Sequence, residues 1–419
     1  MYGSDKDVRH NLSLFFIDGL VFPPAMTLIS ITSVIPYFLE KLGATTFQIA
    51  LAASLALICN FVSQPFFGHI ASHSQLMHKT FGKILLLQRI IFLGFVLCIP
   101  VLTGTGALFI WIFLFFWGVF NIFVGCYNVF HTPLVLKLLP PEKRGAIRGI
   151  GYAVGSFLGL GMAALLPVLL GRITFPYNYT LIFALGLVFL FIDAILFFFM
   201  RQHEDTVANE PMGIVQYFRE MPSSIRLNVP FRSMILTCMF LVVANSLLSF
   251  YTLYAIRVFS ATEAHLATLA GLAVISNAAG YIGFGLVVDR WGPKTSLLVA
   301  TSFIILAGSI ALVTNSLFFL FVAWVFANLS NTGYYNAASL LLGDVSPPSK
   351  LPLYVGVLST ISLALSSLIL LLLAPVLENI GFKMLFVTVL GCGVTSLLIN
   401  ILVLQKQLAQ LHKRTSAIQ

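Results

Sequence analysis

Three ionisable residues lie inside long apolar stretches of the sequence, where charges are otherwise rare. They are Asp18, Arg89 and Asp193. Moving an ionised side chain to the centre of a bilayer costs at least about 2.5–3.5 kcal/mol, so each of the three requires a partner or a function. A carboxyl group in such a place can take up and release a proton or contact a cation, and a carboxylate beside an arginine can form an ion pair.

Amides and phenols form a second group of polar side chains in the apolar stretches. Four asparagines lie near the midpoints of predicted helices: Asn121, Asn245, Asn328 and Asn331. The polar set extends to Tyr127, Asn128, Tyr251, Tyr335, Gln64, His131, Tyr254 and Asn336. Such groups bind hydroxyls, amides or a soft cation without fixing the sign of the charge on a ligand. We predict that they bind a solute; hydrogen bonding between helices is the alternative role.

The composition is that of a membrane protein. The 419 residues are 59% apolar and only 9% charged, and the mean hydropathy is +0.99. A soluble domain has about 45–50% apolar and about 25% charged residues. These values exclude a soluble enzyme, a nucleic-acid-binding domain and a disordered chain. The five cysteines lie in apolar runs without a disulfide or zinc spacing, so we expect them to be small buried side chains.

The apolar stretches predict twelve membrane-spanning helices. A span needs about 20 apolar residues, and the stretches 90–136 and 295–343 each hold the greater part of two spans. We place the helices at 11–38, 45–68, 83–102, 106–131, 145–170, 178–200, 231–255, 264–287, 294–314, 317–341, 352–376 and 381–404. The first helix carries Asp18 and has no signal-peptide cleavage pattern, so we expect it to be retained.

The basic residues predict the orientation of the chain. Lys and Arg in short loops concentrate on the cytoplasmic side of a membrane. Of the 23 such residues, one (Arg89) falls within a helix and few fall on the face opposite the termini, namely Lys41, Arg172, Arg257 and Lys383. We therefore predict that both termini are cytoplasmic, in a plasma membrane and specifically a bacterial inner membrane. The net charge of +9 follows from this bias and requires no acidic partner.

The chain divides into two similar halves. The longest loop, 201–230, separates six predicted spans in 1–200 from six in 231–419, which ends in a short cytoplasmic tail. Within this cytoplasmic linker an amphipathic segment at 214–221 is expected to lie on the membrane surface. A shift of 207 positions places Asn121 on Asn328, Tyr127 on Tyr334, Leu134 on Leu341 and Pro140-Pro141 on Pro347-Pro348. Two parallel six-helix halves are a known transporter layout.

One loop of the second half carries a family signature. It resembles the Gly-x-x-x-Asp-Arg-x-Gly-x-Lys/Arg loop of the major facilitator superfamily in Gly285, Asp289, Arg290 and Lys294. The first half has Ser72 and His73 where the signature has Asp and Arg. The resemblance implies an all-α membrane protein with twelve helices in two pseudo-symmetric six-helix bundles. It also implies that this loop takes part in gating.

The resemblance implies roles for the three charges inside the bilayer. Helices three and six are neighbours in the family, and Arg89 and Asp193 both lie about 9–11 Å from the cytoplasmic ends of theirs at 1.5 Å per residue. We predict a structural ion pair between them. Helix one lines the central cavity of the family, so Asp18, buried and unpaired, is predicted to carry a coupling proton or to contact a cation. The alternatives for Asp18 are a hydrogen bond near the cytoplasmic end or a pair with Arg89.

The predicted function is secondary transport of a small organic, neutral or weakly charged amphipathic solute by alternating access, coupled to protons. Glycines of the fifth helix, Gly155 and Gly159, resemble a signature of proton-coupled exporters and slightly favour efflux; helix packing explains them as well. A translocase for lipid or lipid-linked substrates on the same fold is the alternative. A membrane-embedded enzyme is the second alternative.

The remaining expectations concern cofactors and partners. The sequence shows no paired carboxylates, no nucleophile–base set and no nucleotide-binding loop, so we expect neither catalysis nor a cofactor. His69, His73 and His78 cluster after the second helix without carboxylate support, so we expect no metal. The expected partners are the solute, a proton or another cation, and the lipid bilayer, with no nucleic acid. We expect a monomer.

Overall fold

The computed structural model describes residues 4–72, 74–202, 214–346, 351–404 and 407, and within them the regular structure is helical throughout. The helices are α1 (Asp5–Leu28), α2 (Val34–Lys41), α3 (Thr46–Ser72), α4 (Met77–Leu102), α5 (Ala107–Leu138), α6 (Pro141–Arg172), α7 (Tyr177–Phe199), α8 (Ile214–Leu227), α9 (Val229–Ser246), α10 (Leu248–Phe259), α11 (Glu263–Val313), α12 (Leu317–Val345), α13 (Leu351–Asn379) and α14 (Lys383–Ile399). A turn of 3-10 helix follows α4 at Thr103–Thr105, and a π-helical turn follows α14 at Asn400–Leu404.

Twelve stretches of the described residues are long and apolar enough to cross a membrane. Helices α9 and α10 together form one of them, and α11 contains two. Inside α11 the helix is interrupted at Gly292, whose φ of +80° and ψ of 168° are accessible to glycine and costly for other residues. The predicted all-α fold with twelve spans is confirmed. Helix α8 forms where the amphipathic segment is predicted, and its place on the membrane surface stays a prediction.

The first span is shorter than the hydrophobic pattern suggests. The sequence predicts one helix over 11–38, whereas α1 ends at Leu28 and α2 begins at Val34. Between them, the Ser30 hydroxyl accepts a hydrogen bond from the Ser33 amide over 3.2 Å. Serine and threonine side chains offer the backbone local hydrogen bonds that compete with the helix, so the chain can turn here.

The described chain forms two compact units. The first comprises Met1–Ile214 and Ala261–Val274, and the second comprises Val215–Ser260 and Ile275–Gln419. In the first unit α1 packs mainly on α6 and α7, while α5 packs mainly on α3 and α4. In the second unit α9 packs on α12, α13 and α14. The division of the chain at 201–230 stays a prediction.

Glycines allow α1 and α6 to approach each other backbone to backbone. A Cβ atom added at Gly155 would lie 2.5 Å from the carbonyl oxygen of Gly19, and one at Gly151 would lie 2.8 Å from that of Phe16. Backbone atoms cannot rotate away from such a contact. Gly151 and Gly155 therefore serve this helix contact.

Replacing Gly155 by alanine is expected to destabilise the protein, because the added methyl group must displace the backbone of α1. Overpacking of this kind costs about 1–3 kcal/mol. The melting temperature of the purified protein should therefore fall. The matched control is Gly161→Ala, where an added Cβ meets nothing within 4 Å. Equal melting temperatures for the two variants would contradict the close contact.

Candidate functional site

Asp18 lies in the interior of the first unit and has partners on α5. Its side chain is 1% exposed. The Tyr127 hydroxyl donates to Asp18 Oδ1 over 3.1 Å, and His131 Nε2 lies 3.0 Å from Asp18 Oδ2. The expectation that Asp18 is unpaired is therefore wrong. Tyr127 and His131 are four residues apart on one helix, which places both side chains on the face towards α1.

Arg89 and Asp193 also meet in the interior of the first unit. Arg89 Nη2 lies 3.0 Å from Asp193 Oδ2, and both side chains are buried. Arg89 Nε donates to the carbonyl of Leu190 over 3.3 Å, and Nη1 donates to Gln88. The structure thus brings together the two residues that the sequence predicts as a pair. How much this pair stabilises the protein stays a prediction.

The carboxyl groups of Asp18 and Asp193 lie close enough to interact electrostatically. Among the described residues no N–H or O–H donor reaches Asp193 Oδ1. Two ionised carboxylates cannot hydrogen-bond, whereas a carboxylic acid can donate to a carboxylate. The sequence alone does not show that these two carboxyl groups are close together. The two residues are distant in sequence, and the packing of α1 on α7 brings them together.

Aromatic rings surround His131 and separate it from water. The Tyr127 ring stacks on the imidazole at 4.7 Å between centroids, and Phe15 meets it edge-on at 5.7 Å. Phe197 lies edge-on at 6.3 Å. His131 itself is 2% exposed. Hydrogen bonds and charges interact more strongly in such a low-dielectric site than in water.

The five residues Asp18, Arg89, Tyr127, His131 and Asp193 are called the charge cluster below. With His131 protonated and both carboxylates ionised, the cluster has no net charge. With His131 neutral and one proton between the carboxyl groups, it again has no net charge. Removing that proton leaves one uncompensated negative charge in a buried site, which is unfavourable. The cluster is therefore chemically suited to hold one proton and to release it when water reaches it.

Two of the predicted polar residues of the first unit bond within their own helices. The Asn121 side chain donates to the carbonyl of Trp117 over 2.8 Å. Gln64 donates to the Asn60 side chain over 2.9 Å. The side chain of Asn128 lies outside the described part of the structure. Among the predicted solute-binding residues of this unit whose side chains the structure describes, Tyr127 alone joins the charge cluster.

The polar residues of the second unit fall into three groups. The Asn328 side chain donates to the carbonyl of Trp324 over 2.9 Å. Asn245 and Tyr251 are buried, and their side-chain polar atoms have no hydrogen-bond partner in the described residues. Asn331 is half-buried and Tyr335 is exposed. Buried polar groups without partners are rare and costly, so Asn245 and Tyr251 retain a capacity to bind water or a ligand.

The internal repeat is visible in one hydrogen bond of each unit. Asn121 and Asn328, equivalent under the shift of 207 positions, each donate to the carbonyl of a tryptophan four residues earlier. Those tryptophans, Trp117 and Trp324, are equivalent under the same shift. The sequence contains this signal, but the predicted alignment begins at residue 121 and so misses it.

The family model of the major facilitator superfamily matches residues 17–312 and 234–418, and so covers nearly the whole chain. The chain belongs to this superfamily. It is therefore a multi-pass membrane protein with a transporter fold, and the predicted family and fold are confirmed. No curated protein matches the sequence.

Three solved structures of the superfamily are similar to this chain. A bacterial homologue of the human lysosomal transporter Spinster, inward-facing and unoccupied, is 18% identical over 98% of this chain and 97% of its own, with a TM-score of 0.59. The E. coli fucose:proton symporter FucP is 13% identical over 94% of this chain and 98% of its own, with a TM-score of 0.64. A bacterial homologue of the iron transporter ferroportin, in an outward-facing state, is 16% identical over 93% of this chain and 98% of its own, with a TM-score of 0.61. At these identities the likeness shows the fold alone.

The superfamily loop signature lies at the interruption of α11. Arg290 is exposed and Lys294 is half-buried, while the side chain of Asp289 lies outside the described part. Gly285 has open space around it, and Gly292 provides the interruption. The gating role of this loop stays a prediction.

The histidines after the second span are described only in part. His78 is buried, and its Nδ1 lies 3.0 Å from the Gln202 side-chain oxygen. His73 and the side chain of His69 lie outside the described residues. In the described part of the chain no three His, Cys, Asp or Glu residues are arranged to hold a metal ion.

Proposed function

We propose that the protein is a proton-coupled secondary transporter in which the charge cluster carries the coupling proton. The observation that supports this proposal is the buried contact of Asp18 with His131, close to the carboxyl group of Asp193. These three side chains offer adjacent positions for one proton. A similar structure, the E. coli fucose:proton symporter, provides a precedent for proton coupling on this fold.

The charge balance of the cluster explains how a proton would bias the conformation. The loaded cluster is neutral and tolerates a dry interior, whereas the unloaded cluster carries a net negative charge and favours contact with water. A ligand shifts a conformational equilibrium by its difference in affinity for the two states. Proton binding at Asp18 therefore favours conformations that close the cluster from water, and proton release favours those that open it.

The proposed solute is small, organic, and neutral or weakly charged. Asn245 and Tyr251 support this proposal because they are buried polar groups without partners in the described residues. Amide and phenol groups bind hydroxyls and amides rather than strongly charged groups. Asn331 and Tyr335 are further candidates for solute contact, because their side chains are not fully buried.

The orientation and direction belong to the same proposal. The distribution of basic residues supports cytoplasmic termini in a bacterial inner membrane. The exporter-like glycines Gly155 and Gly159 support efflux only weakly, because Gly155 is required for helix packing. We propose a monomer that acts on its solute and on protons.

The proposal is tested by transport in proteoliposomes. A thermal-shift screen of the purified protein against classes of organic solute first identifies a ligand, because a ligand stabilises the state that binds it. Uptake of that solute is then measured with and without a pH gradient. We expect the gradient to drive accumulation and a protonophore to abolish it. If uptake is the same whether the pH gradient points inward or outward, proton coupling is contradicted.

A further inference from the structure

A separate cavity lies in the first unit, at the end opposite the amino terminus. Its volume is about 280 Å³, close to the lower limit of small-molecule sites at about 300 Å³. Its polar lining consists of Lys41, Arg172, Thr174, Asn178, Tyr179 and Glu263. These residues come from the end of α2, the end of α6, the connection between α6 and α7, the first turn of α7 and the first turn of α11. The cavity shares no residue with the charge cluster.

The cavity has a surplus of positive charge. Lys41 Nζ lies 3.0 Å from Glu263 Oε1, and the Tyr37 hydroxyl donates to the same carboxylate. The charge of Glu263 is therefore matched by that of Lys41. Arg172 is exposed and has neither a hydrogen-bond nor an ion-pair partner within the described ranges. Its guanidinium group leaves the cavity with one unmatched positive charge.

A buried hydroxyl adds a second donor without a partner. Tyr179 lines the cavity and is 1% exposed, and its hydroxyl has no hydrogen-bond partner in the described structure. Its ring is fixed between Phe38 and Phe183, with centroids at 4.7 and 6.2 Å. An unsatisfied buried hydroxyl costs free energy, and a ligand oxygen that accepts from it removes this cost.

We infer that this cavity binds a small oxyanion, namely a singly charged carboxylate or phosphate group. The planar guanidinium of Arg172 can donate two parallel hydrogen bonds to such a group. Lys41 retains N–H donors beyond the one directed at Glu263. The Glu263 carboxylate disfavours a second negative charge on the ligand. Leu170, Ile173 and Phe175 provide apolar walls for an organic remainder.

The oxyanion can belong to a soluble molecule or to a lipid headgroup. Phe175, in the lining, and Tyr177, two residues further along the chain, have exposed side chains. Exposed aromatic residues at the end of a span are typical of the membrane–water interface, where lipid headgroups lie. Both sources present the same chemistry to Arg172, so the experiment must separate them. The inference does not depend on the proposed proton coupling.

Binding is measured on the purified full-length protein with defined probes. The soluble probes are benzoate, its neutral analogue benzamide, and inorganic phosphate at mildly acidic pH, where the singly charged form predominates. Each is followed by calorimetry and thermal shift. The lipid arm compares melting in nanodiscs of phosphatidylcholine with nanodiscs that contain phosphatidylglycerol. We expect stabilisation by benzoate, phosphate or phosphatidylglycerol, and none by benzamide. The soluble probes and the lipid arm together identify the source.

Variants connect the binding to the cavity. Arg172→Gln should weaken oxyanion binding by about tenfold, since one charge-assisted hydrogen-bonding group is lost. Tyr179→Phe should weaken it by a smaller factor and leave the fold intact, since the hydroxyl has no partner to lose. Lys383→Gln removes an exposed charge from the same predicted face without touching the cavity lining. It should bind as the wild type does.

Three results would overturn the inference. The first is the absence of stabilisation by all of the anionic probes and by phosphatidylglycerol. The second is equal affinity of the wild type and Arg172→Gln. The third is equal binding of benzoate and benzamide. None of these three results contradicts the proposed proton coupling, because that proposal depends on Asp18 and not on this cavity.

Discussion

Replacing Asp18 by asparagine is expected to abolish accumulation of the solute driven by a pH gradient. Asparagine keeps the size of the side chain and can still hydrogen-bond to Tyr127 and His131, but it cannot carry the exchangeable proton. Coupling between two sites typically changes affinity 5–150-fold, so gradient-driven uptake should fall by about tenfold or more. The measurement is initial uptake into proteoliposomes with an imposed pH gradient.

Exchange of solute distinguishes a loss of coupling from a loss of folding. Exchange of labelled for unlabelled solute at equal pH requires no net proton release, so Asp18→Asn should retain it. The control variant is Asp344→Asn, which removes an exposed carboxylate near the end of α12 and should leave both assays unchanged. Full gradient-driven uptake by Asp18→Asn would refute the assignment of the proton to this cluster.

Breaking the Arg89–Asp193 pair is expected to cause a large loss of stability. Arg89→Gln leaves the buried Asp193 carboxylate beside Asp18 without a compensating cation. Removing one partner of a buried pair costs about 3–5 kcal/mol in the free energy of unfolding. The variant should therefore show a much lower melting temperature and a poor yield of folded protein.

A double-mutant cycle tests the pair itself. Arg89→Gln combined with Asp193→Asn should recover part of the loss, because the combination leaves no unpaired charge at this position. Strictly additive losses would argue against a direct interaction. Arg201→Gln is the matched control: it breaks the Arg201–Asp7 pair, which has the same 3.0 Å separation but is partly exposed, and it should change the melting temperature little.

Two features of the molecule follow from the sequence by simple rules. The twelve spans follow from hydropathy, because a bilayer admits only helices with enough apolar residues. The meeting of Arg89 and Asp193 follows from equal depth, together with the order of helices that the family resemblance supplies. Both rules depend on position along the helix axis, which the sequence specifies directly.

Features that depend on rotation about a helix axis are harder to predict. Asp18 meets His131 and Tyr127 because α1 and α5 present particular faces to each other, and a uniformly apolar helix gives little indication of its inward face. The same difficulty applies to the amides. Asn121 donates within its own helix, whereas Asn245 has no partner among the described residues, although both lie in similar apolar surroundings.

The end of α1 was predicted wrongly for a different reason. An apolar count over 11–38 detects no interruption, because the residues at 29–33 are not strongly polar. The turn depends on local hydrogen bonds between short side chains and the backbone, such as the contact of Ser33 with Ser30. Hydropathy averages remove this signal. Tyr37, predicted within the first span, lies instead in the separate short helix α2. The last residue of this helix is Lys41, which lines the cavity of the first unit.

The contact between Asp18 and His131 has a mechanical consequence for the first unit. It connects α1, which packs on α6 and α7, to α5, which packs mainly on α3 and α4. Because Gly19 lies in backbone contact with α6, Asp18 cannot move far without that helix. Under the proposed function, the strength of this link depends on the protonation state of the charge cluster. We therefore expect the packing between these two groups of helices to depend on pH.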